Sequence, residues 1–157
     1  MGAFPYPALP SLVQRLVGCK QAAPHAALAG LANLQHVYLE CRDTSEALPL
    51  PHGRWLHSLR ELGINANILA DSLDTLRAAT ALESVSVLDF DRNAELLTEP
   101  AAAALFQWLA EHPPLRRVSC GELSFRRELF RSPPFDAHIA QLQHRRPGLL
   151  VRFLPWL

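Results

Sequence analysis

The sequence predicts an α/β fold in which short parallel strands form one curved sheet on a concave side and helices return the chain along the convex side. Three observations predict it. A strand-like alternation recurs, anchored on Leu34, Leu59, Leu82 and Leu115 at spacings of 25, 23 and 33 residues. The anchors Leu34 and Leu59 are each preceded by a leucine three residues earlier, Leu31 and Leu56. Apolar residues at helical spacing fill the intervals, as a parallel connection requires. An ordinary doubly wound sheet would share the alternation, but it has no need of the three-residue lead-in.

The clearest unit is LHSLRELGINANIL, residues 56–69. Leu62 and Ile64 alternate with Glu61, Gly63 and Asn65, so one strand face is buried and the other wet. Asn67 follows where the chain must turn; its amide can satisfy backbone groups, and Asn tolerates left-handed geometry. The unit carries Leu59-x-x-Leu62-x-Ile64-x-x-Asn67-x-Leu69. Upstream, Leu31-x-x-Leu34-x-x-Val37-x-Leu39 repeats most of it; downstream, Leu82-x-x-Val85-x-Val87 and Leu115-x-x-Val118-x-Cys120 repeat the strand part. In these residues the chain resembles the leucine-rich repeat family, from Leu28 to Phe153. Arg42 and Phe90 stand where that family has Asn or Cys. The resemblance implies a leucine-rich repeat solenoid over 28–157 with about four to five irregular repeats.

Residues 1–27 read as a poorly defined N-terminal segment or a degenerate repeat. There Leu12 to Cys19 runs parallel to Leu34 to Cys41, an alignment that puts Arg15 at a buried strand position. Residues 24–30 can hold two helical turns with Ala27, Leu28 and Leu31 inward, leading to a strand at 35–40. A loop over 41–54, rich in Pro, Asp, Ser and Gly, precedes Trp55 and the strand at 60–65. Leu69, Leu73, Leu76 and Thr80 then recur at helical spacing, so 71–79 is expected as one amphipathic helix before a strand at 83–88. After an inserted loop over 89–98, Thr98 and Pro100 open a helix with Ala101, Leu105, Trp108 and Leu109 on its apolar side. That helix reaches His112 and is stopped by Pro113-Pro114. A strand at 116–120, a packed loop or short helix over 121–133, a helix marked by Phe135, Ile139 and Leu142, and a strand at 149–153 with Val151 and Phe153 inward complete the chain.

Composition bounds the function. The 157 residues suit one domain, and 49% hydrophobic against 19% charged residues argues against disorder. Three cysteines at wide spacing make no disulfide framework, which points to a reducing compartment, the cytoplasm or nucleus. No apolar run approaches a membrane span, and Pro5, Pro7 and Pro10 break what would be a signal peptide, so no membrane role is expected. Net charge is zero but unevenly placed: residues 1–111 hold 7 Lys/Arg and 12 Asp/Glu (−5), and residues 112–157 hold 8 and 3 (+5). Such a dipole can steer a partner.

Motifs for chemistry are missing from the sequence. His52 and His57 lie five apart, with no C-x-x-C or H-x-x-x-H pair, so no metal ligand is predicted. There is no G-x-S-x-G, phosphate-binding or dinucleotide-binding fingerprint, and no cofactor is predicted. His112 with Cys120 is a conceivable pair, more simply the last polar residue of a helix and a core thiol. The pairs Arg116-Arg117, Arg126-Arg127 and Arg145-Arg146 are not interleaved with aromatics, and nucleic acid is not the expected partner.

What remains is a surface. Stacked repeats would line up the outward strand residues on the concave sheet. Tyr38 and Leu88 are its expected apolar contacts, with Glu40, Glu61 and Arg117 setting polarity around them. The long helical returns resemble the helix-backed intracellular leucine-rich repeats. The ending Arg145-Arg-Pro-Gly-Leu149-Leu-Val151-Arg-Phe153 resembles the last repeat of F-box/leucine-rich-repeat proteins. No F-box segment is evident before Leu28, so the resemblance implies protein binding and not ligase recruitment. The expected function is a non-catalytic protein–protein interaction module for a protein partner, or for further repeats or domains of a parent protein. The alternatives are a fragment of a larger repeat protein without its own activity, and a small α/β enzyme.

Overall fold

The five strands expected after residue 28 form, and a sixth joins them from the degenerate N-terminal segment. The computed structural model describes residues 13–17, 28–40, 49–88, 98–121 and 133–154. Its strands are β1 (Val13–Val17), β2 (His36–Glu40), β3 (Glu61–Asn65), β4 (Ser84–Leu88), β5 (Arg117–Gly121) and β6 (Leu150–Leu154). Between them come α1 (Trp55–Ser58), α2 (Ala66–Asp71), α3 (Leu73–Leu76), α4 (Glu99–Glu111) and α5 (Pro133–Arg145). The strands form one sheet in chain order, and every neighbouring pair is parallel. The class is therefore α/β with an all-parallel sheet.

Successive strands begin at residues 13, 36, 61, 84, 117 and 150, so the units are 23, 25, 23, 33 and 33 residues long. The long unit expected as a single insertion thus occurs twice. In both cases a 13-residue helix, α4 or α5, makes the return. The shorter β3–β4 unit returns through α2 and α3, of six and four residues.

Alternation sorts the strand residues by face. Val37, Leu62, Val85 and Val118 pair across the strands in one row, and Leu39, Ile64 and Val87 belong to the next; all are buried. They meet the anchor leucines Leu34, Leu59, Leu82 and Leu115 and the inward residues of the returns, among them Ile68, Leu69, Leu76, Leu105 and Leu109, in one core. Each fully buried side chain of this size contributes about 1.5–3 kcal/mol.

Every strand starts one residue later than the alternation suggests, and the reason repeats with the units. The Gln35 carbonyl accepts from the Arg60 and Glu61 amides at 2.8 and 2.9 Å. The Arg60 carbonyl accepts from Glu83 and Ser84 at 2.8 and 3.0 Å, and the Glu83 carbonyl from Arg116 and Arg117 at 2.8 and 3.0 Å. The residue before each of β2, β3 and β4 spends its carbonyl on two donors of the next unit and stays outside the regular ladder.

Four expectations are corrected. Residues 71–79 do not form one helix: α2 starts directly after β3, and the chain breaks at Ser72 (φ −108°, ψ 7°) before α3. The buried Ser72 hydroxyl donates to the Ile68 carbonyl at 2.6 Å and accepts from the Leu50 amide at 2.8 Å. Thr80, expected on the apolar stripe, is exposed. Asn67, expected at a turn after the strand, lies inside α2; among the described residues the non-glycine with positive φ is Asn33, at 64°. In β1 the register pairs Val13 with His36 and Arg15 with Tyr38, one step from the alignment with Val37. That single step pairs Arg15 with a residue of the Tyr38 row in place of one of the Val37 row.

The later units are also tied by side chains. Buried His112 closes α4 as its C-cap, lies against Trp108 and places Nε2 2.9 Å from the Ala79 carbonyl, which makes Nε2 the protonated nitrogen. Arg146 then spans the end of α4. Its Nη1 donates to the carbonyls of Leu109 (3.1 Å) and His112 (2.7 Å), and its Nη2 to those of Pro113 (3.2 Å) and Leu115 (2.6 Å). Higher up, His138 of α5 stacks on Phe106 of α4 with ring centroids 5.1 Å apart and meets Glu99 at 2.7 Å. The loops expected over 41–54, 89–98 and 121–133 fall largely outside the described residues, as do Ala27 and the side chains of Cys120, Phe135 and Phe153. Among the described residues no helix is long and apolar enough to cross a membrane.

Candidate binding face

The face of the sheet turned away from the core carries the candidate site. Strand register arranges it in rows. The first holds His36, Glu61, Ser84, Arg117 and Leu150; the second holds Tyr38, Gly63, Ser86, Ser119 and Arg152. The third contains Glu40, Asn65 and Leu88 by alternation along their strands.

Glu61 is the centre of the N-terminal end of this face. His36 Nδ1 lies 3.0 Å from Glu61 Oε2, and the Tyr38 hydroxyl donates to the same oxygen at 3.2 Å. Tyr38 reaches it by lying over Gly63, where a Cβ would collide with ring atom Cδ1 and come within 2.8 Å of Cε1. The absence of a side chain on β3 is what lets a tyrosine on β2 lie across it. Burial by itself would raise the Glu61 pKa; hydrogen bonds from His36 and Tyr38, with the charges of His36 and Arg117, outweigh it and hold the carboxyl below its ordinary value. Tyr38 is pushed up, first by burial and then by the charge and hydrogen bond of Glu61, with Arg117 opposing. Tyr38 therefore stays a neutral donor and Glu61 an anion.

Of the residues expected to bind a partner, Tyr38 and Glu61 come together, and Arg117 shares the Glu61 row with Ser84 between them. Arg117 is exposed and acts on Tyr38 and Glu61 through space. Glu40 and Leu88 take the expected strand positions, and their side chains lie outside the described residues. Asn65, expected to be wet, is only 2% exposed, and Ser84 and Ser119 are also buried, because short side chains on closely spaced strands sink between longer neighbours. Sequence reasoning left out two residues that matter here, Leu150 and Arg152, and gave His36 and Gly63 outward strand positions but no role. Leu150 is 45% exposed, the one exposed large apolar side chain among the described residues, and Arg152 is exposed beside it on β6. Extending the period-2 count to the outward side of the last strand would have found both.

The order of groups in the first row limits its chemistry. His36, Glu61 and Ser84 occupy three adjacent strands with the carboxylate in the middle. Activating a serine needs the imidazole between acid and hydroxyl, but His36 and Ser84 are two strand spacings apart, roughly 10 Å. His112, read as the last polar residue of its helix in preference to a partner for Cys120, is the C-cap of α4 and is occupied at the Ala79 carbonyl. Compared with known proteins, the chain matches no family model, and none of the curated proteins is significantly similar to it.

Proposed function

We propose that this protein is an interaction module of the leucine-rich repeat kind, which holds a partner protein against the wet face of its sheet and does no chemistry on it. The observation that carries the reading is the succession of similar units: six parallel strands in chain order, of which β2 to β5 each turn apolar residues into the core and alternate residues away from it. An anchor leucine two residues before each of β2 to β5 and the shared carbonyl at the unit junctions support the same reading. A doubly wound sheet buries both faces under helices. Here His36, Tyr38, Glu61, Ser86, Arg117 and Arg152 keep one face polar and accessible. Strands sit about 4.8 Å apart. Packed helices need 8–10 Å. Stacking units with helices behind the sheet therefore bends the array and makes the wet face concave. A broad polar concavity with a fixed tyrosine suits a protein surface. Residence in the cytoplasm or nucleus belongs to the same proposal, by way of the helix-backed resemblance and the odd number and wide spacing of the three cysteines.

The test compares cross-linked affinity capture from cells with three baits. Tyr38→Ala combined with Arg117→Ala should weaken capture of the partner at least tenfold, about 1.4 kcal/mol. Asp74→Ala with Arg77→Ala, an exposed pair on α3 and just after it, should leave capture unchanged. Circular dichroism and melting curves should match for all three. Loss of capture with the helical-side pair and not with the sheet pair would overturn the proposal.

A further inference from the structure

Resting on that docking surface, we infer that its occupant is an extended acidic peptide segment whose carboxylates, two residues apart, pair with Arg117 and Arg152. The charge balance of the face leads there. Glu61 is the acidic group of the first two rows, and its carboxylate is already hydrogen-bonded by His36 and Tyr38. Arg117 and Arg152 are exposed, and among the described residues neither has a hydrogen-bonded or ion-paired partner. In the first two rows the face thus holds a hydrogen-bonded anion at β3 and two exposed cations at β5 and β6. Arg116, exposed beside Arg117, adds to these cations, and such a cluster draws an anionic partner.

Register sets the spacing of the two cations. Ser119 pairs with Arg152, and Arg117 lies two residues before Ser119 on the same strand. One strand across at ~4.8 Å and two residues along at ~3.3 Å each put the two arginine Cα atoms about 8 Å apart. In an extended peptide, residues i and i+2 share a side and lie about 6.6–6.8 Å apart. Flexible arginine stems close the difference, and each guanidinium can take one carboxylate in a forked pair. Ser86, half-exposed in the second row, adds a hydroxyl, and Leu150, paired with Arg117, adds an apolar contact beside the charges. A nucleic acid is the poorer fit. Its polyanionic backbone needs a longer track of cations, and Tyr38, laid over Gly63, is not presented for base stacking.

The experiment titrates the full chain with a fluorescein-labelled decapeptide of alternating Glu and Ser, read by anisotropy at low salt. Saturable binding is expected, weakened at least tenfold by Arg117→Glu with Arg152→Glu and unchanged by Arg77→Glu. Arg117→Gln with Arg152→Gln should give the same loss, which covers any folding defect from charge reversal. A peptide of equal charge with its glutamates five residues apart should bind severalfold more weakly, and one of alternating Lys and Ser should not bind. Binding indifferent to the arginine pair overturns the inference, as does tighter, arginine-dependent binding of a ten-nucleotide single-stranded DNA. If the acidic peptide fails while the Tyr38→Ala, Arg117→Ala bait still loses its cellular partner, the occupant's chemistry is wrong and the docking surface stands. If both fail, both readings fall.

Discussion

Gly63 leaves empty the volume that the Tyr38 ring fills, and the two positions should behave as one. Gly63→Ala is expected to cost about 1–3 kcal/mol, because the new methyl meets an aromatic ring that is also held at its hydroxyl. In a Tyr38→Ala background the same substitution should be nearly neutral, and a double-mutant cycle in urea reads the difference. Additive effects would show that the ring does not rest on this glycine. A second residue-scale expectation concerns acid. Burial, with Arg146 nearby, holds the His112 pKa below its ordinary value of 6.5, while the Ala79 carbonyl opposes. As pH falls through the ordinary histidine range, the unfolded chain takes up a proton that folded His112 refuses, so stability drops. Glu61, also held low, adds a further loss below its ordinary 4.5. The urea midpoint should therefore decline between pH 7.5 and 5.5, and His112→Phe should flatten that decline. A midpoint in the unsubstituted protein that does not move over this window would contradict the assignment.

Among the elements, the α2–α3 break depends most clearly on one side chain. Ser72→Ala removes the acceptor of the buried Leu50 amide and should cost about 1–3 kcal/mol in a denaturation series. Thr75, whose hydroxyl donates to the Leu50 carbonyl at 3.1 Å, keeps the second half of this clamp in place. The break was not legible in the sequence, because helical spacing of Leu69, Leu73 and Leu76 says nothing about a serine whose partner lies 22 residues away. The strands themselves were legible, since an alternation repeated at the same offset from a leucine leaves little else. Their first residues were not, for the carbonyls of Gln35, Arg60 and Glu83 act between units. β1 was read one step out because Leu12 to Val17 offers apolar residues on both possible faces. At the candidate site, alternation identified Tyr38, Glu61 and Arg117 as neighbours on a wet face. It could not show that Glu61 is already satisfied, since His36 comes 25 residues before it and only register brings the two together.

For the whole molecule, position and bonding in the later units describe a chain of supports. Ala79, His112 and Arg146 each stand three residues before a buried pre-strand leucine, Leu82, Leu115 and Leu149. The His112 side chain holds the backbone of the first, and the Arg146 side chain holds the backbone of the second. Arg146→Ala should destabilise the protein by about 2–4 kcal/mol, because four carbonyls at a helix end lose a charged donor. Arg146→Lys should not restore it, since a single ammonium cannot span the four acceptors that the planar fork reaches. A cost below about 0.5 kcal/mol would place Arg146 with ordinary surface residues. Among the described residues Arg116, Arg117 and Arg152 then lie in or beside β5 and β6, at one end of the sheet.

The Arg146 fork also sets how the molecule should breathe. In an array of independent units, deuterium would enter each strand at its own rate, fastest at the edges. β6 is such an edge, yet Arg146, four residues before it, closes α4 of the preceding unit, so β6 cannot peel away without uncovering the end of α4. The amides of β5, β6 and the last turn of α4 should therefore exchange together in a single opening event. Cutting that guanidinium would split the event in two, with the edge strand exchanging first.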